Sequence, residues 1–108
     1  MACVELVADV RAKLGESPVW CARTSTLYHV DINGCKVWAT RDGRTSEPLV
    51  LPEMVGCVVP RARGGLLACL ETAVVAVDVD ARKVGDTLAS VPHEHRACPT
   101  AALTTLLR

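Results

Sequence analysis

Glu16 has the most constrained setting of the residues able to do chemistry. It stands in Gly15-Glu-Ser-Pro18, a turn that leads into an apolar run. Pro18 disfavours helix at the residue before it, so the carboxylate is held at the start of a strand. By position alone Glu16 reads as a solvated turn acid, although carboxylate oxygen is also a good donor to a hard divalent cation. Ser17 lacks the second glycine of a nucleophile elbow, so Ser–His hydrolysis has no support. His93 and His95, with Cys98 three residues on, are zinc-type donors. Pro92 and Pro99 bracket them and no second ligand pair accompanies them, so the stretch does not read as a metal site. His29 follows Tyr28 in an alternating run and reads as a packed or edge residue rather than a base. Asp31, Asp78 and Asp80 end apolar runs, where their expected work is to accept backbone N–H bonds in turns. Trp20 and Trp38, the only tryptophans in a chain without Phe, are expected to anchor one unit against its neighbour.

Composition narrows the partners. Twelve basic residues balance 12 acidic ones, so no basic field exists to attract a polyphosphate, and nucleic acid is not an expected partner. No apolar run approaches the roughly 20 residues that cross a bilayer, because Arg61, Arg63, Glu71 and Asp78 interrupt the candidates. No membrane span is expected. Glu5 and Asp9 stand where an export signal needs a basic start and an apolar stretch, which makes a cytoplasmic location the default. The six cysteines, Cys3, Cys21, Cys35, Cys57, Cys69 and Cys98, include no C-x-x-C pair and read as free, mostly buried thiols.

Positioning these residues falls to short strands. Proline and glycine cut the chain into segments rich in Val, Leu and Thr, which predicts an all-β fold. Strands are expected over 4–7, 18–21, 26–31, 36–40, 48–51, 57–60, 65–70 and 74–79, with a further one over 86–90. Asn, Asp and Gly in the intervening turns would supply positive φ angles. The segment from Val19 also overlays the segment from Val58: Leu27 falls on Leu66, Val37 on Val75 and Leu49 on Leu88, 38 or 39 residues apart. A repeat of about 40 residues holding four short strands is the signature of a β-propeller blade. A single eight-stranded sandwich is the alternative that periodicity leaves open. Closure takes about 4 to 8 blades, and this chain supplies two, which implies either partners or a fragment.

The run Leu14-Gly-Glu-Ser-Pro-Val-Trp20, followed by Thr26-Leu-Tyr-His-Val-Asp-Ile-Asn-Gly34, resembles the regucalcin (senescence marker protein) and gluconolactonase family. Arg63-Gly-Gly-Leu-Leu-Ala-Cys-Leu-Glu71 looks like that family's second blade. The resemblance covers roughly residues 5 to 90 and implies the first two blades of a six-bladed β-propeller, truncated. It further implies one divalent cation, Ca²⁺ or Zn²⁺, at the channel mouth, with Glu16 as the one ligand that carries over. The implied reaction is hydrolysis of a sugar lactone such as gluconolactone, in which a metal Lewis acid polarises the carbonyl. No catalytic or substrate-binding residue carries over. Residues 1–91 are thus expected to form a partial propeller and 92–108 a divergent tail, because Val91-Pro-His-Glu-His95 stands where the family has an Asn-Arg-Phe-Asn-Asp-Gly-like stretch. Cys21 stands where the family often has an acid, and His29 where an aromatic is common. Two functions follow as expectations. One is a lactonase-family chain that is inactive alone. The other is a non-enzymatic, truncated β module that binds a partner, or itself, through open blade edges. A WD-type interaction propeller is disfavoured because neither repeat carries a Gly-His start or a Trp-Asp end.

Overall fold

The alternating apolar runs fold as antiparallel strands joined by tight turns in the computed structural model, which describes residues 5–90. Its strands are β1 (Gly15–Cys21), β2 (Thr26–Asp31), β3 (Lys36–Arg41), β4 (Arg44–Thr45), β5 (Leu49–Val50), β6 (Val55–Pro60), β7 (Leu66–Leu70), β8 (Ala73–Asp78) and β9 (Lys83–Ser90). They make two sheets. The first runs β1-β2-β3-β4, with β5 also paired to β3, and the second runs β6-β7-β8-β9. The all-β expectation holds, and two antiparallel sheets are consistent with part of a β-propeller.

The core lies between the sheets. Tyr28 pairs with Ala39 and Val30 with Val37, so one face of the first sheet presents all four side chains. The second sheet answers with Leu66, Ala68 and Leu70 of β7 and Val75 and Val77 of β8. Val30, Val37, Val55 and Ala68 are fully buried. The opposite face of the second sheet gathers Leu67, Cys69 and Val74, with Cys57, Val59 and Ala89 packed against them.

Equivalent positions of the repeat meet across the two sheets, as stacked neighbouring units require. Arg23 donates to the carbonyls of Ala62 and Arg61 at 2.9 and 2.6 Å. Arg41 makes a two-pronged ion pair with Asp80, 39 residues on, at 3.0 and 2.8 Å.

Three hairpins share one turn design. In the β2–β3 and β8–β9 turns an aspartate accepts from the amide three residues on, Asp31 from Gly34 and Asp78 from Ala81, each at 3.0 Å. In the β1–β2 turn Cys21 takes that place, with its thiol hydrogen-bonded to Thr24 and lowered in pKa by that contact. The last residue of each four-residue loop, Ser25, Cys35 or Arg82, adopts positive φ. That differs from the expected use of Asn, Asp and Gly, which holds at Asp42-Gly43 and Gly64-Gly65. In all three, a residue with a Cβ occupies the left-handed region, whether the turn begins with Asp or with Cys.

Other expectations need correction. Residues 5–7 of the expected strand 4–7 form no strand, and Leu6 and Val7 are exposed. Residue 4 lies outside the described residues. The amides of Lys13 and Leu14 are tied to Asp31, Arg11 has positive φ, and residues 5–8 line a groove with Gly15, Glu16, Pro18 and Leu27 without joining the ladder. Trp20 and Trp38 pair with Leu27 and His29, which puts both on the face turned away from the second sheet. Neither anchors the two sheets to each other.

Candidate functional site

Asp31 builds the approach to Glu16. It is 3% exposed and accepts from the amides of Lys13 and Leu14, both at 2.9 Å, as well as from Gly34. The Ile32 amide returns a bond to the Leu14 carbonyl at 3.0 Å. Burial pushes the Asp31 carboxyl up, but the three amides and the Lys36 charge outweigh it and leave the pKa below its ordinary value. Gly34 is required here because a Cβ would drive into the Asp31 carboxylate. With Leu14 pinned, Gly15 pairs with Asp31 and Glu16 with Val30. A bulge follows between Glu16 and Val19, with Ser17 at φ 51°. Bulges re-aim side chains at functional edges, and this one sits directly after the candidate ligand.

Glu16 is exposed at the rim of a groove of about 410 Å³. Leu6, Val7, Pro18 and Leu27 give the groove apolar walls, and Glu5 and His29 add polar groups. His29 is half-buried and stacks on Trp38, with centroids 5.2 Å apart and planes 17° from parallel. Burial lowers its pKa, so the imidazole stands neutral at pH 7. This agrees with its reading as a packed residue.

The remaining candidates separate cleanly. Asp31 and Asp78 accept turn amides as expected, whereas Asp80 does not; its carboxylate is taken by Arg41. Ser17 occupies the bulge. His93, His95 and Cys98 lie outside the described residues. Among the described cysteines Cys21 and Cys69 are buried, while Cys35 and Cys57 are half-buried. No group of three or more His, Cys, Asp or Glu side chains converges among the described residues. Glu16 alone cannot satisfy a Ca²⁺ ion, which takes about 6 to 8 oxygens, or a Zn²⁺ ion, which takes about three or four protein ligands. The described residues therefore do not fit a complete metal site.

Sequence reading missed the part of Asp31 in fixing residues 13 and 14. The signal was available, because an acid at the end of a strand and three residues before Gly can reach both its own turn and a neighbouring segment.

The family model described as SMP-30/Gluconolactonase/LRE-like region matches residues 14–100. The chain is 47% identical to an L-arabinolactonase of Azospirillum brasilense over 53 residues, covering 48% of this chain and 18% of that protein. It is 40% identical to regucalcin of Danio rerio over 77 residues, 69% of this chain and 26% of that protein. A 6-deoxy-6-sulfogluconolactonase of Pseudomonas putida is 37% identical over 81 residues, 73% of this chain and 27% of that protein. The chain thus spans between about a fifth and a quarter of the length of these relatives. The pinned turn, the glutamate before the bulge and the paired sheets lie within the matched region, and the chain belongs to the SMP-30/gluconolactonase/LRE-like family.

Proposed function

We propose that this chain supplies the Glu16 segment of a sugar lactone hydrolase and is inactive by itself. The observation that supports the reading is the placement of Glu16, an exposed carboxylate after an Asp31-fixed turn and before a bulge, within a chain whose relatives include two lactonases. Glu16 contributes one oxygen-donor group toward a divalent cation, Ca²⁺ or Zn²⁺, and the remaining donors come from outside residues 5–90. A cation held there would act as a Lewis acid toward the lactone carbonyl. The part of this chain is to hold the Glu16 carboxylate in place without mobile loop entropy.

Two experiments test the reading. The purified chain, assayed on gluconolactone with Ca²⁺ or Zn²⁺, is expected to hydrolyse no faster than buffer; metal-dependent turnover lost in Glu16→Gln overturns the claim of inactivity. In a chimaera carrying residues 14–51 of this chain in the A. brasilense L-arabinolactonase, hydrolysis is expected to persist. Glu16→Gln in that chimaera is expected to lower kcat/KM by about 100-fold, the scale of losing an electrostatic group at the reacting centre. Unchanged activity there removes Glu16 from the site.

A second reading, a non-enzymatic module that associates through its open faces, is favoured by Trp20, which is 59% exposed beside Leu27 on the outer face of the first sheet. Light scattering on the purified chain decides it: a mass above that of one chain, rising with concentration, supports association.

A further inference from the structure

Strands β6 and β7 are antiparallel neighbours, and their register sets Cys57 directly opposite Cys69. Opposed residues in such a pair have Cα atoms about 4.5–5.5 Å apart, inside the separation of about 4.4–6.8 Å that a disulfide spans. Both cysteines are free, and the two thiols are close enough to shift one another's titration. They sit in the apolar cluster of Leu67, Val74, Val59 and Ala89, on the face of the second sheet turned away from the first. A register shift between Val55 and Cys57 inserts Gly56 beside the pair, which gives the strand local freedom to adjust.

We propose that Cys57 and Cys69 form a cross-strand dithiol that low-molecular-weight disulfides of the glutathione type oxidise to an intramolecular disulfide. Cys57 is the attacking group and Cys69 the resolving one. Cys57 is half-buried where Cys69 is 1% exposed. The neighbouring Cys69 thiol draws the Cys57 pKa down to about 7, while the Cys57 thiol and burial push that of Cys69 up. The Cys57 thiolate attacks one sulfur of the reagent, forms a mixed disulfide and releases one thiolate. That thiolate takes up the Cys69 proton, and the Cys69 sulfur attacks the Cys57 sulfur and expels the second reagent thiolate, which is protonated by solvent. Two protein thiols are oxidised to one disulfide, and one reagent disulfide is reduced to two thiols. The spacing of 12 residues explains why a search for C-x-x-C misses the pair: the strand register brings it together, not the local sequence.

The test is peptide mapping by mass spectrometry, without reduction, on the purified reduced chain after incubation in glutathione redox buffers and acid quenching. The expected result is a Cys57–Cys69 cross-link preceded by a glutathione adduct on Cys57. In Cys69→Ser the adduct on Cys57 accumulates and no cross-link to residue 57 forms. Iodoacetamide labelling of the reduced chain at neutral pH is expected to modify Cys57 in preference to Cys69, whose thiol is buried and raised in pKa. A wild-type chain that stops at the mixed disulfide, or that joins Cys57 to another cysteine, overturns the proposal. The wild-type mapping decides the matter even if a variant does not fold.

Discussion

Asp31 concentrates much of the local order in one carboxylate, because three amides from two segments converge on it in a buried position. Asp31→Asn presents an NH₂ group to at least one of those donors, and the expected loss is about 1–3 kcal/mol in urea unfolding at neutral pH. The dependence on acid identifies the cause. The folded pKa lies below the ordinary 3.8, so the stabilisation is complete above the unfolded value and is lost as pH falls through the folded one. The stability gap between wild type and Asp31→Asn is therefore expected to narrow below pH 3.8, and a gap independent of pH would assign the loss to packing instead. His29 carries the same sign for a different reason. Burial lowers its pKa from 6.5, so the unfolded chain binds the proton first and stability falls as pH drops through 6.5 toward the folded pKa. His29→Phe keeps a ring beside Trp38 and is expected to flatten that part of the stability profile, as followed by circular dichroism in urea.

Strands and turns show what periodicity can and cannot read. The runs 26–31, 36–40 and 65–70 were legible because their Val, Leu and aromatic residues face a buried surface, and the offset of 38 or 39 residues anticipated real contacts such as Arg41 with Asp80. The two-residue β4 was not legible, since Arg44 and Thr45 carry no apolar alternation and pair only because the Asp42-Gly43 turn folds them back on β3. Residues 5–7 failed in the opposite way. Their composition suits a strand and β1 offers an edge, yet residues 5–8 lie against side chains of β1 and β2 instead of pairing in the ladder. For the candidate site, the motif around Glu16 was legible, whereas the buried carboxylate that holds it depends on two distant segments meeting. The Arg41–Asp80 pair has side chains 38% and 58% exposed, so a double-mutant cycle with Arg41→Met and Asp80→Asn is expected to give a coupling of only about 0.2–1 kcal/mol, falling in high salt. A larger coupling that is insensitive to salt would mean that the pair is shielded from solvent by the stacking of the two sheets.

At the scale of the molecule, the surfaces left open matter more than any single contact. The outer face of the first sheet carries Trp20 at 59% exposure, and Leu6 and Val7 are 79% and 57% exposed in the segment that lines the same groove as Leu27 and Pro18. Single exposed apolar residues are ordinary, but Trp20, paired with Leu27, adds to the apolar groove that Leu27 lines with Leu6 and Val7, and exposed apolar area of this kind marks a surface that associates. The chain carries no net charge to oppose that association. Purified chain is therefore expected to show a weight-average mass above 11.5 kDa in light scattering, rising with concentration. Trp20 is the residue to change, because it is the largest side chain in the patch and contributes nothing to the buried core between the sheets. Trp20→Arg is expected to return the mass toward that of one chain without altering the β-sheet signal in far-UV circular dichroism. A wild-type chain that stays monomeric at every concentration would remove self-association as a role for this face. A discrete assembly that also hydrolyses gluconolactone would show instead that copies of the chain complete one another's Glu16 site.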